Sequence, residues 1–241
     1  MGGSLAKAIK HFSPCTITGV DSSEAVIQAA FDFGCIDSSS TVAALPSSVE
    51  LVFVCTPMSR IKDHIQQLLH STSSDTLISD IGSAKAYLAK ENFPNRVILG
   101  HPIAGKAGGG FSASDALLFK ERSYILVPPK KAPDGYDALK VLLGSLGAIL
   151  VECDAYFHDQ QLALSSHFPY FAAKAAYDMT QTHGLKPPFI GPGYESFTRL
   201  AHSQEAWAKD ISLFNKESLV EALQLYQDQL SKLLKKLHDN H

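Results

Sequence analysis

The apolar positions divide the chain into two halves with different rhythms. Through the first half, short runs that are almost continuously apolar or β-branched recur at Cys15–Val20, Leu51–Cys55, Thr76–Asp80, Val97–Gly100, Ser123–Val127 and Ala148–Glu152. Runs of that length without polar alternation predict strands buried on both faces. Helical periodicity fills the stretches between them, as at Ser23–Phe33 and Ser59–Leu69. Regular alternation of strand and helix predicts a parallel sheet covered by helices. After Glu152 no strand pattern follows. Asp154 to His183 reads as one long helix, which Lys186-Pro187-Pro188 must end because proline lacks the N–H that a continuing helix needs. Gly191-Pro192-Gly193 reads as a turn, and two further helices are predicted at Glu205–Phe214 and Lys216–His238. The change of rhythm places a domain boundary near residue 153, giving domains 1–152 and 153–241.

The last helix carries a narrower pattern. Leu219, Leu223, Tyr226, Leu230, Leu233 and Leu237 are spaced alternately by four and three, a seam of period about 3.5 that faces another helix. The facing helix belongs either to the same chain or to a second copy, and a small helical domain with such a seam suits a homodimer.

Composition narrows the function. The 241 residues are 45% hydrophobic and 19% charged, ordinary for a globular protein. A net charge of -3 shows no basic surplus of the kind that phosphate neutralisation requires, so nucleic acid is not an expected partner. Lys232, Lys235 and Lys236 read as a solvated helix face. No apolar run reaches the roughly 20 residues of a membrane span, and no signal peptide is visible. Cys15, Cys35, Cys55 and Cys153 form no C-x-x-C pair, and free thiols suit a reducing cytoplasm. The histidines include no H-E-x-x-H and no zinc-finger spacing, so no metal is expected.

The opening residues point to a ligand. Met1-Gly2-Gly3-Ser4-Leu5-Ala6 reads as the start of a helix with glycines at its N-terminus, and Ile17-Thr18-Gly19-Val20-Asp21 reads as a strand ending in an acid. In a dinucleotide-binding fold, a glycine turn joins the first strand to the first helix, whose N-terminus receives the pyrophosphate. An acid ending the second strand bonds the ribose hydroxyls. Gly2 and Gly3 then stand at the end of a G-x-G-x-x-G turn, Asp21 is the acid, and the first strand is expected to be missing from residues 1–241. Two further segments follow strands directly, Asp80-Ile81-Gly82-Ser83-Ala84-Lys85 and Gly100-His101-Pro102-Ile103-Ala104-Gly105, where open α/β sheets place their ligands.

Together with Ser165-Ser166-His167-Phe168-Pro169 and Gly191-Pro192-Gly193-Tyr194-Glu195-Ser196-Phe197-Thr198-Arg199, these segments resemble the prephenate and arogenate dehydrogenase family over essentially the whole chain. The resemblance implies a Rossmann-like NAD-binding domain followed by an all-helical domain for substrate binding and dimerisation. It implies oxidation of prephenate, or of its amino analogue arogenate. Hydride passes from the hydroxyl-bearing ring carbon to nicotinamide, and the ring carboxylate departs as carbon dioxide. The product is 4-hydroxyphenylpyruvate or tyrosine. Aromatisation drives the step, so the protein positions two reactants and handles one proton.

Residue roles follow from that resemblance. His101 accepts the hydroxyl proton, a task that suits an imidazole. Ser83 bonds the same hydroxyl or orients the imidazole, unless it serves as a helix N-cap. Arg199 holds a substrate carboxylate in a two-pronged pair. His167 lines the same cleft or is a core histidine. Thr56 and Pro57 lie along the nicotinamide side. Asp21 favours NAD over NADP, because a carboxylate repels a 2′-phosphate. Departures are Lys106-Ala107, where relatives often carry Thr-Glu, and Ser196, where many carry an acid. They leave open the choice between prephenate and arogenate, and inhibition by tyrosine.

Competing readings are weaker. Gly100 to Ala107 approaches the phosphate loop G-x-x-x-x-G-K-[ST], but lacks the hydroxyl residue and carries Pro102 where N–H groups are needed. A 3-hydroxyacid dehydrogenase or imine reductase would use Lys174 as its catalytic lysine, without the glycine-rich context expected around it. A degenerate paralogue that only dimerises is a third reading.

Overall fold

The computed structural model describes residues 1–105, 109–203 and 205–239. Two compact units emerge, Met1–Asp154 and Ala155–His241. In the first, helix α1 (Gly2–Phe12) leads to strand β1 (Thr18–Gly19), helix α2 (Glu24–Asp32) and strand β2 (Ser38–Ser39). There follow β3 (Leu51–Val54), α3 (Met58–Ser71), β4 (Leu77–Asp80), α4 (Ala86–Ala89), β5 (Val97–Pro102), β6 (Ser123–Val127), α5 (Tyr136–Ser145) and β7 (Ile149–Glu152). Each apolar run named from the sequence contains a strand. The first shrinks to two residues, and β2, too short and polar to show a pattern, is new.

The sheet comes in two pieces. β1 pairs in parallel with β2, while β3, β4, β5, β6 and β7 form a five-stranded sheet in chain order. Among the described residues no strand joins β1 to β3, which is where the first strand of a dinucleotide-binding domain lies. β3 is therefore an edge, and its Leu51, Val52 and Phe53 are only half-buried, whereas every residue of β4 and β5 is buried. The larger sheet is mixed rather than wholly parallel: β5 and β6 run antiparallel, with Gly100 opposite Leu126 and His101 opposite Ile125. A parallel neighbour needs a crossover, usually a helix. Between β5 and β6 the described residues hold one short 3₁₀ turn, Phe111–Ala113.

Helix α1 packs on the five-stranded sheet through Leu5, Ala8 and Ile9, spaced three and one along a single face. They join Leu77, Ile98, Tyr124, Leu126, Leu139 and Leu143 in the main core. At about 25 cal/mol per Å² of apolar surface, burying residues of this kind is the chief term holding the unit together.

The second unit is helical: α6 (Ala155–Leu162), a π turn (Ala163–His167), α7 (Phe168–Thr182), α8 (Pro192–Thr198), α9 (Glu205–Phe214) and α10 (Lys216–Asp239). The single long helix expected from Asp154 to His183 is thus interrupted. Pro169 sits in the first turn of α7, where its missing N–H takes one bond out of the ladder and the wider π turn absorbs the change. Gly191-Pro192-Gly193 is no free turn but a helix start, with Gly191 as N-cap and Pro192 at the first position, where a missing N–H costs nothing. The seam of α10 divides as well. Leu219 is buried, and Tyr226 packs its ring 4.9 Å from Phe168, while Leu230, Leu233 and Leu237 are 41%, 55% and 66% exposed. No helix among the described residues is long and apolar enough to cross a membrane.

Candidate active site

The carboxyl ends of β3, β4 and β5 lie side by side and carry Thr56, Ser83 and His101 respectively. β3 ends at Val54, and Thr56 follows with its Oγ1 3.1 Å from His64 Nδ1 on α3. Pro57 is the exposed N-cap of α3. β4 ends at Asp80, whose buried carboxylate organises the next turn: Gly82 N donates to Oδ2 at 2.7 Å, and Gly100 N on β5 donates to Oδ1 at 3.1 Å. Lys85, fully buried, pairs with the same carboxylate and donates to Gly100 O at 2.7 Å. Ser83 is half-buried directly after Gly82, and His101 is buried directly after Gly100. The structure therefore brings the Ser83 and His101 turns onto one polar cluster. Ser83 is not the N-cap that could explain it otherwise, because α4 begins at Ala86 behind Lys85.

Two glycines let these strands approach. A Cβ on Gly100 would stand 2.7 Å from the Asp80 carbonyl oxygen, and one on Gly82 would stand 2.8 Å from Ile61 and 3.0 Å from Asp80 Oδ2. The contact at Gly100 is with rigid backbone and closer than real Cβ atoms come, so only glycine fits there, while at Gly82 the tip of Ile61 would have to move.

The beginning of α1 offers a seat for an anion. Met1 has no side-chain cap bond, and its carbonyl accepts from Ser4 and Leu5, so the N–H groups of Gly2 and Gly3 lie ahead of the intrahelical ladder. Neighbouring atoms crowd this turn: a Cβ on Gly3 would come 2.9 Å from Phe111, and one on Gly2 3.0 Å from Cys55. The turn thus presents bare backbone and a helix N-terminus, the donor set a pyrophosphate needs. Asp21 is exposed just beyond β1, with Oδ1 accepting from Ser23 N at 2.9 Å, which shapes the turn into α2. These residues fit a dinucleotide. Burial pushes the Cys55 thiol up to about 12, with Asp80 adding to the effect, so it stays protonated and is no nucleophile at neutral pH.

The second unit holds the other two residues picked out by sequence. Arg199 is exposed at the start of a 3₁₀ turn continuing α8. His167 is fully buried at the end of the π turn, where π turns often mark function. Asn215 Nδ2 donates to His167 Nδ1 at 3.0 Å and to Asp159 O at 2.8 Å. The Nε2–H of His167 is buried with no hydrogen-bond partner among the described residues. Burial holds this imidazole down at about 4, opposed by the Asp159 charge and aided by His158, so it is neutral at pH 7. Lys106 and Ala107 lie outside the described residues. Ser196 is exposed on α8, and Lys174 forms an i, i+4 ion pair with Asp178 at 2.5 Å. No cluster of three or more potential metal ligands occurs among the described residues. Sequence reading missed the Asp80–Lys85 cluster and Asn215. The motif around Ser83 contained both members of that pair, but nothing in the spacing showed that they meet over Gly100.

The first unit has the make-up of a Rossmann-like nucleotide-binding domain, with parallel strands and a helix N-terminus able to seat an anion, and a helical unit follows it. Comparison with known proteins gives the family. Residues 5–152 match the family model "Prephenate dehydrogenase, nucleotide-binding domain" and residues 154–241 match "Prephenate dehydrogenase, dimerization domain", so the chain belongs to the prephenate dehydrogenase family. It is 30% identical to the prephenate dehydrogenase of Bacillus subtilis strain 168, over 97% of this chain and 66% of that protein. It is 29% identical to the cyclohexadienyl dehydrogenase of Zymomonas mobilis, over 97% and 84%. The chain thus spans about two thirds of the length of the B. subtilis relative. Among solved structures, the prephenate dehydrogenase from A. aeolicus in complex with hydroxyphenyl propionate and NAD+ superposes with a TM-score of 0.91 at 28% identity, covering 100% of this chain and 88% of that one. Synechocystis arogenate dehydrogenase shares the fold, with a TM-score of 0.87 at 23% identity over 99% and 89%.

Proposed function

We propose that this protein catalyses the NAD-dependent oxidative decarboxylation of prephenate to 4-hydroxyphenylpyruvate, with arogenate as the alternative substrate of the same site. The observation carrying this reading is the pairing of the Ser83 and His101 turns on one buried cluster, at the strand ends of a chain from this family. NAD, when bound, supplies the hydride acceptor. The N–H groups of Gly2 and Gly3 and the dipole of α1 would hold its pyrophosphate, Asp21 would bond the ribose hydroxyls, and Thr56 and Pro57 would border the nicotinamide.

His101 accepts the proton of the substrate hydroxyl while the C–H bond at the same carbon breaks, so positive charge does not accumulate there. Ser83 bonds that hydroxyl and keeps it directed at the imidazole. The electron pair of the departing carboxylate enters the ring as carbon dioxide leaves, and His101 returns its proton to the phenol oxygen. Arg199 anchors a substrate carboxylate through a two-pronged pair. The active form is a homodimer in which the exposed Leu230, Leu233 and Leu237 of α10 meet a partner helix, and the thiols of Cys15, Cys35 and Cys55 suit a cytoplasmic location.

The test is NADH formation with prephenate and with arogenate, each offered with NAD and with NADP. Turnover of prephenate with NAD, faster than with NADP, is the expected result. Turnover of arogenate alone would reassign the substrate, and turnover of neither by a folded dimer would discard the reading.

A further inference from the structure

The β4–β5 ladder closes its last register pair at Ser79 and Ile98. Gly100 lies two residues further along β5, beyond the last paired residues. Side chains take over the ladder at that point. Asp80 Oδ1 accepts from Gly100 N at 3.1 Å, as a main-chain carbonyl would, and Lys85 Nζ donates to Gly100 O at 2.7 Å, as a main-chain amide would. The same carboxylate accepts from Gly82 N at 2.7 Å through Oδ2 and pairs there with Lys85. Both side chains are 0% exposed, so neither is available to solvent or to a reactant.

A buried ion pair is a poor device for stability alone, because desolvation cancels much of the attraction. Its value here is geometric. The carboxylate holds the backbone on the N-terminal side of Ser83 and of His101 at once, one residue from each. We propose that Asp80 and Lys85 form a positioning pair that sets the spacing between the Ser83 hydroxyl and the His101 imidazole while touching neither substrate nor cofactor. The inference rests on the proposed reaction for its kinetic readout only.

The double variant Asp80→Asn/Lys85→Met removes both charges yet keeps an amide oxygen for one of the two glycine N–H groups, so the fold survives. The expected result is a cooperative melt, a kcat lowered by about tenfold or more, KM values for NAD and prephenate within about threefold of wild type, and faster hydrogen exchange at the Gly82 and Gly100 amides. An unchanged kcat with unchanged amide exchange in the folded variant would overturn the proposal. So would a kcat loss matched by an equal rise in KM for prephenate, which would make the pair part of substrate binding. If wild type turns over neither substrate, the proposed reaction falls, and amide exchange still decides whether the pair fixes the two turns. Lys85→Arg, which keeps a donor and a charge, is expected to recover part of the lost kcat without restoring it fully, since the closed cavity fits the slimmer ammonium.

Discussion

The two units each bury a polar network, and the networks differ in completeness. In the first unit, the Asp80 carboxylate receives two main-chain N–H groups and the Lys85 ammonium, and Lys85 reaches on to a carbonyl. In the second, Asn215 bridges His167 Nδ1 and Asp159 O, His158 Nδ1 lies 2.7 Å from Asp159 Oδ1, and His167 Nε2 is left without a partner among the described residues. A satisfied network fixes backbone and holds two turns in one geometry. An unsatisfied donor costs free energy until something meets it. The first arrangement fixes the backbone around it, and the second leaves a buried donor unmet among the described residues.

Breaking the first network has the largest expected effect. Lys85→Met alone leaves Asp80 charged and buried, which is expected to cost about 3–5 kcal/mol and to lower the melting temperature accordingly. The second network is probed by pH. The folded pKa of His167 is depressed to about 4 from an ordinary 6.5. Its stabilising contribution is therefore fully present above pH 6.5 and is lost as pH falls towards 4, because the unfolded chain takes up the proton first. The loss amounts to about 3 kcal/mol at most. Denaturant unfolding at several pH values measures it, and His167→Asn is expected to flatten the slope in that window.

Smaller effects sharpen the comparison. Gly100→Ala forces a methyl against the Asp80 carbonyl and is expected to cost about 1–3 kcal/mol, seen as a shifted urea midpoint with an unchanged slope. Tyr124 borders the first network, and its buried hydroxyl has no partner among the described residues; burial, with Cys55 and Asp80 nearby, raises its pKa well above the ordinary phenol value. Tyr124→Phe removes that orphan and is expected to leave stability unchanged or to raise it by about 1 kcal/mol. A loss of that size would mean the hydroxyl has a partner, such as water.

The sequence made the strand–helix alternation legible because strands buried on both faces read as unbroken apolar runs. Leu77–Asp80 and Val97–Pro102 are that case, while β2, two serines long, carries no such signal. The antiparallel turn of β6 was hidden, since an apolar run does not reveal its direction. His101 and Ser83 were legible from motifs that follow strands. The interlock beneath them was not, because residues 80, 85 and 100 meet only through the register of two strands. The π turn at His167 was hidden for a related reason: a proline one residue inside a new helix start reads the same as one that a continuous helix tolerates.

The measurement that bears most directly on the account compares His101→Asn with wild type in two assays, NADH formation from prephenate and NAD binding. Asparagine preserves size and hydrogen bonding at the buried position but cannot accept the proton at neutral pH. The account predicts a fall in kcat of about 10²–10⁴-fold with NAD affinity held within about threefold. An unchanged kcat would contradict the assignment of His101 as the proton acceptor at the carboxyl edge of this sheet.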